Sequence, residues 1–125
     1  MDVRLEGADE MNLLGLFMRS ALDARRETLD RVQPSGAIAM TAGAMSVTLD
    51  FAPDRLTIRK GVDDDARAHV TGSLEALIEV ARGSNAPLLR RQAKVSGNPL
   101  ALLPLSKVFK QTAPDGRSPA REAAA

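Results

Sequence analysis

His69 is the one histidine of this 125-residue chain, and no cysteine is present. A catalytic dyad or a metal site needs partners around the imidazole, most often a second histidine or a cysteine. Neither residue type is available, so His69 reads as a solvated side chain on the wet side of a strand, in line with Arg67 and Thr71. Asp63-Asp64-Asp65 offers carboxylates to a divalent cation. The alternating oxygen ligands, central glycine and closing glutamate of a calcium loop are missing, which favours a solvated loop. The serines (Ser20, Ser35, Ser46, Ser73, Ser84, Ser96, Ser106, Ser118) sit in no nucleophile elbow. Gly97-Asn98-Pro99 is a strand-to-helix turn without a phosphate-binding glycine pattern. Arg82, Arg90, Arg91, Lys94, Lys107 and Lys110 gather near Leu88, Leu89 and Phe109. A solvated face is the favoured reading of that group, and a transient membrane-docking surface is its alternative. We expect no enzyme, no catalytic residue, no metal and no cofactor. An activity would have to rest on Asp, Glu, Lys or His69.

Composition narrows the classes further. The net charge of +1 creates no field that gathers nucleic acid, and the absence of Trp and Tyr removes its stacking platforms. The hydrophobic fraction is 44% but the aromatic fraction only 2%, so Leu, Val, Ala and five Met must fill the interior. Flexible thioether and aliphatic side chains suit a pocket of adjustable shape, and a biased base composition would produce them equally well. No apolar run approaches the ~20 residues that cross a bilayer. The first residues, Met1-Asp2-Val3-Arg4-Leu5-Glu6, lack a signal-peptide core. With no cysteine, a cytoplasmic protein is expected.

The elements that would position a site follow from periodicity. Residues Ala8–Val32 read as one helix capped by Asp9, with Met11, Leu14, Met18, Leu22, Leu29 and Val32 inward. Leu13, Leu16 and Phe17 add a second apolar face at its front. Ala37–Thr41 is a strand. Met45, Val47, Leu49 and Phe51 alternate with Ser46, Thr48 and Asp50 in the clearest two-residue period of the chain. Leu56 and Ile58, then Ala66, Ala68 and Val70, continue what reads as a four-strand antiparallel meander. Ser73 caps a helix over Leu74, Leu77, Ile78 and Ala81, which Gly83 stops. Pro87–Gln92 suits one helical turn, and Ala93–Gly97 a last strand. Asn98 and Pro99 then start a final helix that Pro104 kinks or interrupts. Beyond Lys110 the composition is that of a disordered tail.

The order and spacing of four stretches resemble the sterol carrier protein (non-specific lipid-transfer) domain family. They are Asp50-Phe51-Ala52-Pro53-Asp54-Arg55-Leu56-Thr57-Ile58, Ala68-His69-Val70-Thr71-Gly72-Ser73-Leu74-Glu75-Ala76-Leu77, Ala81-Arg82-Gly83, and Ala93-Lys94-Val95-Ser96-Gly97-Asn98. The likeness covers roughly 8–109 and looks especially like the small bacterial accessory factors of ubiquinone biosynthesis. Arg67 and Asn98 stand where many members carry an acidic residue, and the chain ends Ala123-Ala124-Ala125 in place of a peroxisomal tripeptide.

The resemblance implies an α+β fold, sterol-carrier-protein-like, of about five mostly antiparallel strands packed on helices, with a C-terminal lid helix. It would form one lipid-binding domain over 8–110, followed by the tail 111–125. An internal apolar cavity would be lined by Phe17, Met40, Met45, Val47, Leu49, Phe51, Leu56, Ile58, Val70, Leu77, Leu100, Leu103, Leu105 and Phe109. The lid would close over the face made by Met45, Val47, Leu49 and Phe51. The expected partner is a lipid or other apolar small molecule, with no nucleic acid. A filled core that docks on a partner enzyme or forms a homodimer is the alternative.

Overall fold

A computed structural model of the chain describes residues 2–83 and 93–110. Six strands form one mixed sheet: β1 (Asp2–Leu5), β2 (Gly36–Ala42), β3 (Met45–Ala52), β4 (Arg55–Lys60), β5 (Ala68–Gly72) and β6 (Ala93–Gly97). Their spatial order is β1-β4-β3-β2-β5-β6. The alternation read in residues 45–51 sets the register. Leu49 stands between Ile38 and Ile58, and Met40 between Val47 and Val70. All of them point to one face, because successive side chains of a strand alternate sides.

Among the described residues, four helices cover that face: α1 (Leu13–Asp23), α2 (Arg26–Val32), α3 (Leu74–Ala81) and α4 (Leu103–Lys110). Leu14, Met18 and Leu22 recur one turn apart on α1 and are fully buried against the sheet. Gly15 leaves room first for the Met11 side chain, which a Cβ there would strike, and then for β3, since that Cβ would come within 3.3 Å of Val47 Cγ1. On α3, the Ser73 hydroxyl accepts from the Ala76 N–H at 3.1 Å, satisfying an otherwise orphaned donor.

The expected elements are corrected in five places. The sheet has six strands among the described residues, and two of its five pairings are parallel, β1 with β4 and β2 with β5. The residues before Ala8 are not a lead-in but carry the edge strand β1. The first helix starts later than Ala8, where the Asn12 carboxamide, not Asp9, accepts from the Gly15 N–H at 2.9 Å. It also breaks at Ala24–Arg25, where the Arg25 guanidinium donates to the Ala21 carbonyl at 2.7 Å and satisfies the end of α1. Lastly, β5 does not continue the meander. Residues 61–67 carry the chain across the sheet so that β5 joins the far side of β2. The crossover runs over the helix-free face: the Thr48 hydroxyl donates to the Gly61 carbonyl and accepts from the Asp63 N–H, each at 2.9 Å.

Two sequence features act as read. Gly83 follows α3 with φ of +97°. Pro104 falls in the first turn of α4, where a missing N–H breaks no helical bond, and the segment before it, Pro99–Leu102, is a separate 3-10 turn. The turn read at Pro87–Gln92, the group Leu88, Leu89, Arg90 and Arg91, and the tail after residue 110 lie outside the described residues.

Candidate functional site

The largest apolar assembly is the layer between the sheet and its helices. Val47, Leu49, Leu56 and Ile58 are fully enclosed there, and Met40, Phe51, Val70 and Leu77 nearly so. Phe17 and Met45 are half-buried at its margin. From the last element, Leu105, Val108 and Phe109 are buried in the same cluster. The sequence reading thus names side chains that the fold brings together, with two exceptions. Leu100 is 68% exposed and Leu103 54% exposed, so both face water. Val108 and Ile38, absent from the expected lining, belong to the same layer, as do Leu14, Met18 and Leu22, which read as inward on the first helix. The three- and four-residue spacing of the last three was the signal for them.

The last element is aimed by the turn that precedes it. Gly97 ends β6 with φ of +84°, and a Cβ there would lie 2.7 Å from the Arg67 carbonyl oxygen. Only glycine fits this close approach. The Asn98 N–H donates to that same carbonyl at 2.9 Å, and the Asn98 side chain accepts from the Leu100 N–H at 3.0 Å. This clamp sends the Pro99–Leu102 turn over β5. The last helix, α4, packs on α2, and its Leu105, Val108 and Phe109 join the cluster that holds Val47, Leu49 and Phe51. The break at Ala24–Arg25 redirects α2 and so supplies the surface on which α4 lies.

The helix-free face is chemically distinct. Arg59, on β4, donates to Asp50 at 2.8 Å and to Asp63 of the crossover at 2.6 Å. The hydrogen bond to Asp50 raises its pKa above the ordinary arginine value, so it stays charged. Arg4, Leu5, Glu6, Asp50, Arg55, Thr57 and Arg59 line an open cleft of about 430 Å³. His69 is outside that cleft, half-buried rather than freely solvated, with Nε2 2.7 Å from the Thr41 hydroxyl. The first aspartate of 63–65 is likewise not simply solvated: besides its pairing with Arg59 it accepts from the Asp65 N–H at 3.1 Å. Among the described residues, no group of three or more His, Asp or Glu is arranged to hold a metal, and no helix is long and apolar enough to cross a membrane.

Comparison with known proteins addresses the apolar layer. The family model of the SCP-2 sterol transfer family matches residues 16–110. No curated protein sequence matches. Among solved structures, the chain is similar to a UbiJ-SCP2 ubiquinone synthesis protein, with 15% identity and a TM-score of 0.54 over 82% of this chain and 86% of that one. It is similar to sterol carrier protein 2 from Yarrowia lipolytica, with 17% identity and a TM-score of 0.54 over 78% of this chain and 88% of that one. Sterol carrier protein-2 like-3 from Aedes aegypti gives 20% identity and a TM-score of 0.54 over 74% of this chain and 96% of that one. At such identities these likenesses establish the fold.

Proposed function

This chain belongs to the SCP-2 sterol transfer family, and on that premise we propose that it binds and transfers a lipid or other apolar small molecule without catalysing a reaction. The observation that carries this reading is the way the last element closes the layer. Leu105, Val108 and Phe109 are buried in it, whereas Leu100 and Leu103, at the hinge that leads in, keep their side chains in water. An apolar hinge beside an apolar interior is a suitable entry for a greasy ligand. The ligand contacts we assign are those of the sheet face (Met40, Met45, Val47, Leu49, Phe51, Leu56, Ile58, Val70) and of the helices (Phe17, Leu77, Leu105, Phe109). Leu100 and Leu103 serve at the mouth.

The energetics are sufficient. Each methylene removed from water contributes about 0.8 kcal/mol, so about ten of them give ~8 kcal/mol, the scale of a micromolar complex. Such contacts sense length and girth and leave the head group unread. Acyl, sterol and isoprenoid chains all satisfy them. The narrower form of the proposal is an isoprenoid cargo, supported by the likeness to the ubiquinone synthesis protein. The test is native mass spectrometry with lipid extraction of the purified chain, followed by titration with acyl, sterol and isoprenoid probes. Co-purified lipid or saturable probe binding is expected. Absence of both overturns the reading.

A second reading rests on α1. Leu13 is 64% exposed and Leu16 43% exposed, one turn apart on the helix. An unpaired apolar stripe suits a partner enzyme or a second copy. Light scattering decides this reading: a monomer at all concentrations, with no partner retained, removes it.

A further inference from the structure

The charged side chains of the cleft lie on the side of the sheet opposite the apolar layer and take no part in the lipid reading. Its charges are laid out in rows fixed by the pairing of β1 with β4. Asp2 stands beside Arg55, Arg4 beside Thr57, and Glu6 follows with its N–H bonded to the Ile58 carbonyl, which places it beside Arg59. The signs are not balanced along the cleft. At the first end, Arg4 is paired with the Asp2 carboxylate, the Asp2 N–H is bonded to the Asp54 carbonyl, and Arg55 is left without an ion pair among the described residues. At the second end, Arg59 is shared between Asp50 and Asp63, and Glu6 adds a third carboxylate. The Thr57 hydroxyl lies between the ends. The fold has therefore built a dipolar trough, positive at Arg55 and negative at Glu6. The side chains at its two tips are exposed and make no ion pair among the described residues.

We propose that this trough binds a small zwitterion, its oxyanion at Arg55 and Arg4 and its ammonium at Glu6. A simple anion gains at one end only and is repelled by Glu6, Asp50 and Asp63. A simple cation meets the converse. A molecule with both groups satisfies both ends at once and inherits two charge-assisted sets of hydrogen bonds. Arg55 is suited to the first contact because its planar fork matches carboxylate or phosphate, and Thr57 adds a hydroxyl donor. Four residues of extended chain, roughly 13 Å, separate the Cα atoms of Arg55 and Arg59. The long side chains at the two ends narrow this to the span of a small molecule, and a volume of about 430 Å³ accommodates one. The shared chemistry is an oxyanion and an ammonium joined by a short chain, as found in a free phosphoamine or in a zwitterionic lipid head group.

The test uses the full chain and O-phosphoethanolamine, followed by amide chemical shifts. Shifts confined to residues 4–6 and 55–59 are expected. Affinity should be at least about ten-fold above that for inorganic phosphate or ethanolamine alone and should fall with salt. Arg55→Ala and Glu6→Ala each remove an exposed side chain, so both variants fold, and each should weaken binding at least about three-fold. Sedimentation with phosphatidylethanolamine vesicles identifies the source. Pelleting that Arg55→Ala abolishes assigns a head group, and binding of free phosphoethanolamine without pelleting assigns a soluble zwitterion. Absence of shifts, an affinity no better than that for phosphate, or unchanged affinity in both variants overturns the proposal. Lipid extraction of Arg55→Ala stays as in the parent chain, so failure here leaves the reading of the apolar layer untouched.

Discussion

The two faces of the same sheet are built from the same strands yet follow different rules. One residue apart on β3, Leu49 is fully buried under helices while Thr48 is buried under a crossover it holds by hydrogen bonds. On the helix side, contact is non-directional and residues exchange neighbours at low cost, which suits a ligand known only by its girth. On the far side, order comes from named pairs such as Arg59 with Asp50 and Asp63. Adaptable packing and fixed polar geometry are thus separated by the pleat itself.

The sharpest way to break this contrast is Leu49→Ala. It removes a fully buried side chain at the centre of the register and should cost about 2–5 kcal/mol in urea unfolding, with loss of probe binding. A cost under ~1 kcal/mol would mean that the layer there is already loosely filled. Thr48→Val tests the other face. The isosteric change strands the Asp63 N–H and the Gly61 carbonyl, for an expected cost of about 1–3 kcal/mol. Amide exchange at residues 61–67 should speed up while the helix side stays protected. Uniform loosening of both faces would show that they are not separable.

Leu103→Ser should leave stability within about 0.5 kcal/mol, because the side chain is mostly in water. Under the proposed entry route it slows lipid uptake in a stopped-flow transfer assay, and unchanged uptake would move the mouth elsewhere. The smallest effect concerns Asp2. The hydrogen bond from Arg4 holds its carboxyl below the ordinary carboxylate range. A depressed folded-state pKa gives stability that is present above the unfolded value and is lost as pH falls through the folded one. Carboxyl-detected NMR should show Asp2 titrating higher in Arg4→Ala. Identical titrations in the two chains would remove this pair from the account.

Much of the helix side was legible in order. Residues 45–51 announce a half-buried strand because a two-residue period has no other regular use. Ser73 and the Gly97-Asn98-Pro99 run mark helix and turn starts because caps and left-handed glycines answer to local backbone chemistry. The family resemblance, carried by residues 50–58, 68–77, 81–83 and 93–98, is upheld by the family match over 16–110. β1 was not legible: Asp-Val-Arg-Leu is four residues long, and its partner β4 lies some fifty positions away. The helix break at Ala24–Arg25 has neither Pro nor Gly to announce it, and α2 turns off along a line that α4 completes. Composition could not place Leu100 and Leu103 outside, since a leucine carries the same hydrophobicity on either side of a hinge.

By itself, then, the sequence determined which faces of the strands are apolar, where α3 and the last turn begin, and which family pattern the chain follows. These are properties of neighbours a few residues apart, where sterics and capping act. Tertiary structure alone decided that β5 crosses to the far side of β2, that α4 rests on α2, and that charges from β1, β3 and β4 converge in one trough. Those choices depend on contacts between segments tens of residues apart, whose closure entropy is offset only once the whole sheet has assembled.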